Sequence, residues 1–140
     1  MFEECLYFNS HALARTVSRI WTGAYKPFDL SPSHAFLLRV VLAKPGLMPR
    51  ELAKELSLSR STVTRFLDSL EKRKLLVRKM TTQDGREVQV YPTKAAIEIH
   101  EKLDQTGKKL TKLMGKIIGQ DDLSKTVSNL RRLQNILDTN

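Results

Sequence analysis

The sequence predicts a mainly helical chain with one small β-hairpin, on three observations. Apolar residues recur at helical spacing over most of the 140 residues. Near the middle the period drops from about 3.6 to 2 for two short runs separated by turn residues. Immediately before that change stand two short helical patterns joined by three residues, Ser57-Leu58-Ser59.

The elements follow in order. Leu6, Leu13, Val17, Ile20, Trp21 and Ala24 form one helical stripe. It ends before Lys26-Pro27, because a proline disfavours helical geometry at the residue preceding it. Ser31-Pro32 pairs an N-cap with a first-turn proline and opens a second helix through Phe36 to Leu42. That helix is apolar almost all round and is expected to be buried; Lys44-Pro45-Gly46 closes it. Pro49 opens a third helix to Leu56, with Leu52, Ala53 and Leu56 inward. Leu58 is expected to plug the core, and Ser59 to cap a fourth helix with Val63, Phe66, Leu67 and Leu70 on its inner stripe.

Leu75 to Lys79 and Glu87 to Tyr91 then read as strands, with Asp84-Gly85 supplying the turn. Thr93 caps a long fifth helix whose stripe is Ala96, His100, Leu103, Gly107, Leu110, Met114 and Ile117. Gly119 ends it, and Asp121 is expected to cap a last helix striped by Leu123, Val127, Leu130, Leu133 and Leu137. This order is a winged helix-turn-helix flanked by N- and C-terminal helices. A single domain over 1–140 is expected, with the winged helix at about 30–94 and the flanking helices at about 1–28 and 95–140.

Composition narrows the function. Apolar residues make 41% and charged residues 28%, ordinary globular usage that excludes wholesale disorder. The net charge is +9, and residues 48–94 hold eleven bases against six acids. That excess points to a polyanion and places the anion-binding surface in the middle third. One cysteine, Cys5, excludes an internal disulfide and a four-cysteine zinc site, which fits a reducing cytoplasm. No apolar run reaches the ~18–20 residues of a membrane span, and the acidic start does not read as a signal peptide. No GxSxG, HExxH or GxxxxGK[ST] pattern occurs, and His11, His34 and His100 fall on three different helices. Neither an enzyme, a cofactor nor a metal site is expected.

The segment from Glu51 to Leu76, with its core Leu58-Ser59-Arg60-Ser61-Thr62-Val63-Thr64-Arg65-Phe66-Leu67, and the wing Asp84-Gly85-Arg86 ahead of Val88 and Pro92-Thr93-Lys94, resemble the MarR family of bacterial transcriptional regulators. The resemblance covers roughly residues 5–138. Two positions depart from it, Ser57 and Lys74, where the family commonly carries glycine. Both departures bear on turn geometry.

The outward residues of the fourth helix suit a major groove. Arg65 matches a guanine edge bidentately, and Ser61 and Thr62 are short enough to bring the helix close to the bases. Arg60 and Thr64 stand on the same outer side, and Ser59 with the open N–H groups of the helix start favours a phosphate. Arg86 at the hairpin tip suits a minor groove, Asp84 is expected to orient an arginine, and Arg78 and Lys79 are expected on phosphates. The resemblance implies that the first, fifth and sixth helices form a two-fold dimer on a pseudopalindromic operator.

The expected function is a sequence-specific, ligand-responsive, homodimeric repressor. A small aromatic or acidic effector is expected beside Trp21, Tyr25 and the second helix. One alternative is peroxide sensing through Cys5, which sits where some resembling regulators hold a reactive thiol. Against it, Asn9 replaces an expected tyrosine, and no arginine or lysine lies within nine residues of Cys5. The other alternative is a basic module that binds nucleic acid or acidic partners by shape alone.

Overall fold

The computed structural model describes residues 1–80 and 87–140. Its elements are α1 (Leu6–Tyr25), a short 3₁₀ turn (Lys26–Phe28), α2 (Pro32–Ala43), α3 (Pro49–Leu56), α4 (Arg60–Lys72), β1 (Leu76–Met80), β2 (Val88–Pro92), α5 (Lys94–Ile118) and α6 (Gln120–Asp138). The chain forms two compact units, 1–104 and 105–140. The winged helix of the sequence lies in the first.

Helix starts follow local capping chemistry. The Ser31 hydroxyl accepts from the His34 N–H at α2, and the Ser59 hydroxyl accepts from the Thr62 N–H at α4. Thr93 Oγ1 accepts from the Ala96 N–H at α5. Pro32 and Pro49 occupy first-turn positions, where a missing N–H costs nothing.

In the first unit α2 is the central element and packs on α1, α3, α4 and β2. Ala35, Leu37, Leu38 and Val41 of α2 are fully buried, together with Leu52, Val63, Leu70, Leu76, Val90 and Leu103. Each of these leucines and valines contributes about 1.5–3 kcal/mol of burial. Tyr25 is also fully buried and meets Phe36 edge-on at 6.0 Å between ring centroids. The sequence stripe stopped at Ala24 and gave Tyr25 no core role.

The hairpin is antiparallel, with Leu76 opposite Pro92, Arg78 opposite Val90 and Met80 opposite Val88. Both strands begin and end one residue later than the sequence pattern suggests. A third piece of backbone joins them. Gly46 N–H donates to the Val90 carbonyl, and Val90 N–H donates to the Leu47 carbonyl. This ties the end of α2 to β2 across the short turn.

The second unit holds residues 105–118 of α5 and all of α6. Leu110 and Met114 are buried, whereas Ile117, expected on the same inner stripe, is 68% exposed. A helical stripe marks one side of the helix, but burial needs a neighbour at every turn. Asp121 does not cap α6. Gly119 takes the cap position with φ +98°, and Asp121 and Asp122 lie inside the first turn, where acids favour the positive end of the helix. Along α6, Val127, Leu130, Ile136 and Leu137 are 45–61% exposed.

Candidate nucleic-acid interface

α3 and α4 form the helix-turn-helix, and the turn between them is set by hydrogen bonds that close α3. Leu58 N–H donates to the Ala53 carbonyl and Ser57 N–H to the Lys54 carbonyl, with Ser57 in the left-handed region at φ +54°. This pairing closes a helix on a left-handed residue. Leu58 is half-buried beneath the turn.

α4 then presents two faces. Val63, Leu67 and Leu70 are buried. Phe66 is only half-buried and packs on the His34 ring at 4.4 Å. The other face begins with a chain of hydroxyls. Ser59 Oγ lies 3.1 Å from Ser61 Oγ and donates to Thr62 Oγ1 at 2.8 Å. Arg65 Nη2 reaches the same Thr62 hydroxyl at 3.5 Å. Ser59, Ser61, Thr62 and Arg65 are therefore brought together at one end of the helix. Arg60 is exposed, and among the described residues it makes no ion pair. Thr64 is exposed but turns its hydroxyl back to the Arg60 carbonyl at 2.9 Å, which leaves its methyl as the outward group.

The far end of α4 is charged in a different way. Arg78, on β1, places Nη2 2.7 Å from Asp68 and Nε 2.9 Å from Glu71. Burial works against its charge, but the hydrogen bonds and charges of Asp68 and Glu71 prevail and raise its pKa above the ordinary arginine value. Lys79 points the other way, with Nζ 5.1 Å from the centroid of the Tyr91 ring. The two neighbouring cations are thus held by different partners. Asp68, Glu71 and Tyr91 were not singled out from the sequence. The signal for the first two was acids at i and i+3 of α4, with a basic strand returning after a tight turn. Asp84 and Arg86 lie outside the described residues.

Cys5 sits at the head of α1, exposed and without a side-chain cap bond. The amide of Asn9 organises this end instead and donates to the carbonyls of Phe2, Glu3 and Cys5. A pocket of about 330 Å³ lies along α2 in the first unit, with Phe36, Val40 and Leu56 as apolar lining. Two ion pairs edge it, Arg39 with Asp104 at 3.0 Å and Lys44 with Glu55 at 2.8 Å. Arg39 also donates to the hydroxyl of Tyr25 at 3.4 Å. Neither Trp21 nor Tyr25, both expected beside the effector, lines this pocket. Among the described residues no group of three or more His, Cys, Asp or Glu is placed to hold a metal, and no helix is long and apolar enough to cross a membrane.

Residues 28–87 match the sequence profile of the MarR family. No match is found among curated protein sequences. Three solved structures are similar over nearly their full length. A MepR–DNA complex from S. aureus is 20% identical, with a TM-score of 0.82 over 96% of this chain and 99% of that one. A cysteine-to-serine mutant of E. coli MarR complexed with operator DNA is 24% identical, with a TM-score of 0.81 over 95% and 97%. The PcaV regulator of Streptomyces coelicolor, in complex with its natural ligand, is 24% identical, with a TM-score of 0.73 over 88% and 89%. At these identities the likeness is one of fold.

Proposed function

We propose that this chain, whose residues 28–87 match the profile of the MarR family, is a DNA-binding transcriptional regulator of that kind, working as a ligand-responsive homodimeric repressor. The observation that carries this reading is the outer face of α4. A capped helix start, a cluster of short hydroxyl side chains and Arg65 stand together on the exposed side of a helix-turn-helix. That combination suits base edges, because short side chains allow close approach and a guanidinium pairs with guanine O6 and N7. Ser59 and Arg60 at the helix start and Lys79 on the wing take phosphates, Thr64 offers its methyl to a thymine, and Arg86 enters the minor groove with Asp84 orienting an arginine.

A second copy completes the site. α1 exposes Leu6, Leu13, Val17 and Ile20, and α6 exposes Leu130 and Leu137, a load of apolar surface that a symmetric partner covers. Two recognition helices then meet two half-sites roughly one turn, ~34 Å, apart. The signal is a small noncovalent ligand in the α2 pocket, whose volume lies in the usual range for such sites.

The test is selection from a random duplex library with the full chain, followed by anisotropy titrations. A palindromic consensus bound about a thousandfold or more tighter than scrambled duplex is the expected result. Equal affinity for every duplex overturns specific regulation in favour of a module that binds by shape and charge.

A further inference from the structure

Arg78 stands beside Lys79 on the strand that leads into the wing, and its charge alone marks it as a second phosphate contact. Its surroundings argue otherwise. The Nε and Nη2 atoms form one edge of the guanidinium, and that edge spans two carboxylates of α4 one helical turn apart, Asp68 and Glu71. The Arg78 side chain is 29% exposed and that of Glu71 34%. The two carboxylates take the Nε edge and leave only the Nη1 side of the guanidinium for a phosphate, and any movement of Arg78 toward the DNA backbone would bare two negative charges on the recognition helix. Lys79, one residue on, has no carboxylate partner among the described residues and rests over a tyrosine ring.

We infer that Arg78 is a positioning residue: it fixes the angle between the wing and the recognition helix and neutralises Asp68 and Glu71, so that the reading helix meets DNA without local repulsion. This rests on the DNA-binding reading above. The chain path makes the arrangement possible. After α4 the backbone turns at Lys74, in the left-handed region with φ +60°, and Leu75 N–H donates to the Leu70 carbonyl, so β1 starts directly against the end of α4. Two donors in a rigid fork hold two acceptors in a defined geometry, which an ammonium on a flexible stem does not.

The experiment compares wild type with Arg78→Lys, Arg78→Gln, the pair Asp68→Asn/Glu71→Gln, and Lys79→Gln as a phosphate-contact control. Each binds the selected and a scrambled duplex at salt from about 50 to 200 mM, with thermal unfolding measured alongside. Arg78→Lys and the Asp68→Asn/Glu71→Gln pair are expected to lose roughly tenfold on the selected duplex and little on the scrambled one. Their salt slopes stay at the wild-type value, whereas Lys79→Gln lowers the slope by about 0.9 on both duplexes. The pair is the sharper arm, because removing two negative charges should strengthen binding if only Coulomb repulsion matters.

A slope lowered by about one in Arg78→Gln, with equal losses on both duplexes, overturns the inference. So does stronger binding by the neutralised pair. In the absence of DNA, the Nε–H resonance of Arg78 is expected to exchange slowly with water in wild type and rapidly in Glu71→Gln. Fast exchange in both discards the clamp, whatever the DNA results. A wild type that binds all duplexes alike instead overturns the reading of function, and with it the DNA half of this inference, while the resonance still judges the clamp separately.

Discussion

Arg73, at the C-terminal cap of α4, donates from both Nη atoms to the backbone carbonyls of Phe28 and Asp29, in the connection between α1 and α2. Its Nη2 is also 3.8 Å from the Asp29 carboxylate. One side chain thus pins the far end of α4 to the segment that joins the first two helices. The two carbonyls are the larger part of this bond, because the Asp29 carboxylate is fully exposed and its charge is screened. Arg73→Ala is expected to destabilise the fold by about 1–3 kcal/mol, read from urea unfolding, with Arg73→Lys falling between. An unchanged midpoint in Arg73→Ala would show that the carbonyls lose nothing.

The same arginine acts on His34. Burial against α4 is the first cause that lowers the His34 pKa, and the Arg73 charge is the second. The folded state therefore binds the His34 proton less readily than the unfolded chain does. Above an ordinary histidine value of about 6.5 both states are neutral and His34 costs nothing. As pH falls through that value the unfolded chain takes up a proton first, and stability drops until pH passes the native value. His34→Asn is expected to flatten the part of the stability–pH curve just below pH ~6.5. In Arg73→Ala the His34 resonance should titrate at a higher pH than in wild type, and identical midpoints would remove Arg73 as a cause.

Ser57 and Lys74 close α3 and α4 by the same device. In each case a residue in the left-handed region sits between two hydrogen bonds to the last turn of its helix, Ser57 at φ +54° and Lys74 at φ +60°. A side chain with a Cβ pays for that conformation, and glycine does not. Ser57→Gly and Lys74→Gly are each expected to stabilise the fold by about 0.5–1 kcal/mol, after the larger freedom of glycine in the unfolded chain is deducted. Gly46→Ala should do the opposite. It sits at φ +95°, and a Cβ there would stand 3.3 Å from the Tyr91 hydroxyl oxygen. Loss of stability in either glycine variant would show that the serine or lysine side chain makes a compensating contact.

These caps show which parts of the fold were legible. Ser31-Pro32, Pro49, Ser59 and Thr93 announce helix starts because capping is local, and each falls where the sequence placed it. The strain at Ser57 and Lys74 was likewise visible as two departures from glycine. What the sequence hid is set by neighbours distant along the chain. Tyr25 is buried because Phe28 and Phe36 close around it, and Ile117 is exposed although Leu110 and Met114 on the same stripe are buried. On the outer face of α4 the residue types were readable, but their pairing was not. Arg78 reads in the sequence as a phosphate contact, and its pairing with Asp68 and Glu71 depends on β1 returning along α4.

The terminal helices carry the last prediction. α1 exposes Leu6, Leu13, Val17 and Ile20, and α6 exposes Val127, Leu130, Ile136 and Leu137, each 36–61% accessible. Single exposed apolar residues need no explanation, but two whole stripes at helical spacing do. A second copy that covered them, as in the proposed dimer, would remove this surface from water at about 25 cal/mol per Å². Introducing a charge into the stripe tests this without cutting the chain. Leu130→Glu/Leu137→Glu leaves the buried residues of both units in place, so each unit is expected to keep its helical content by circular dichroism. In sedimentation the wild type should run as a dimer and the variant as a monomer. The variant should then bind a half-site about as well as wild type but lose the gain from the full palindrome, which joining two modules makes roughly a hundredfold or more. A variant that stays dimeric and grips the full palindrome as tightly as wild type would move the interface off α6.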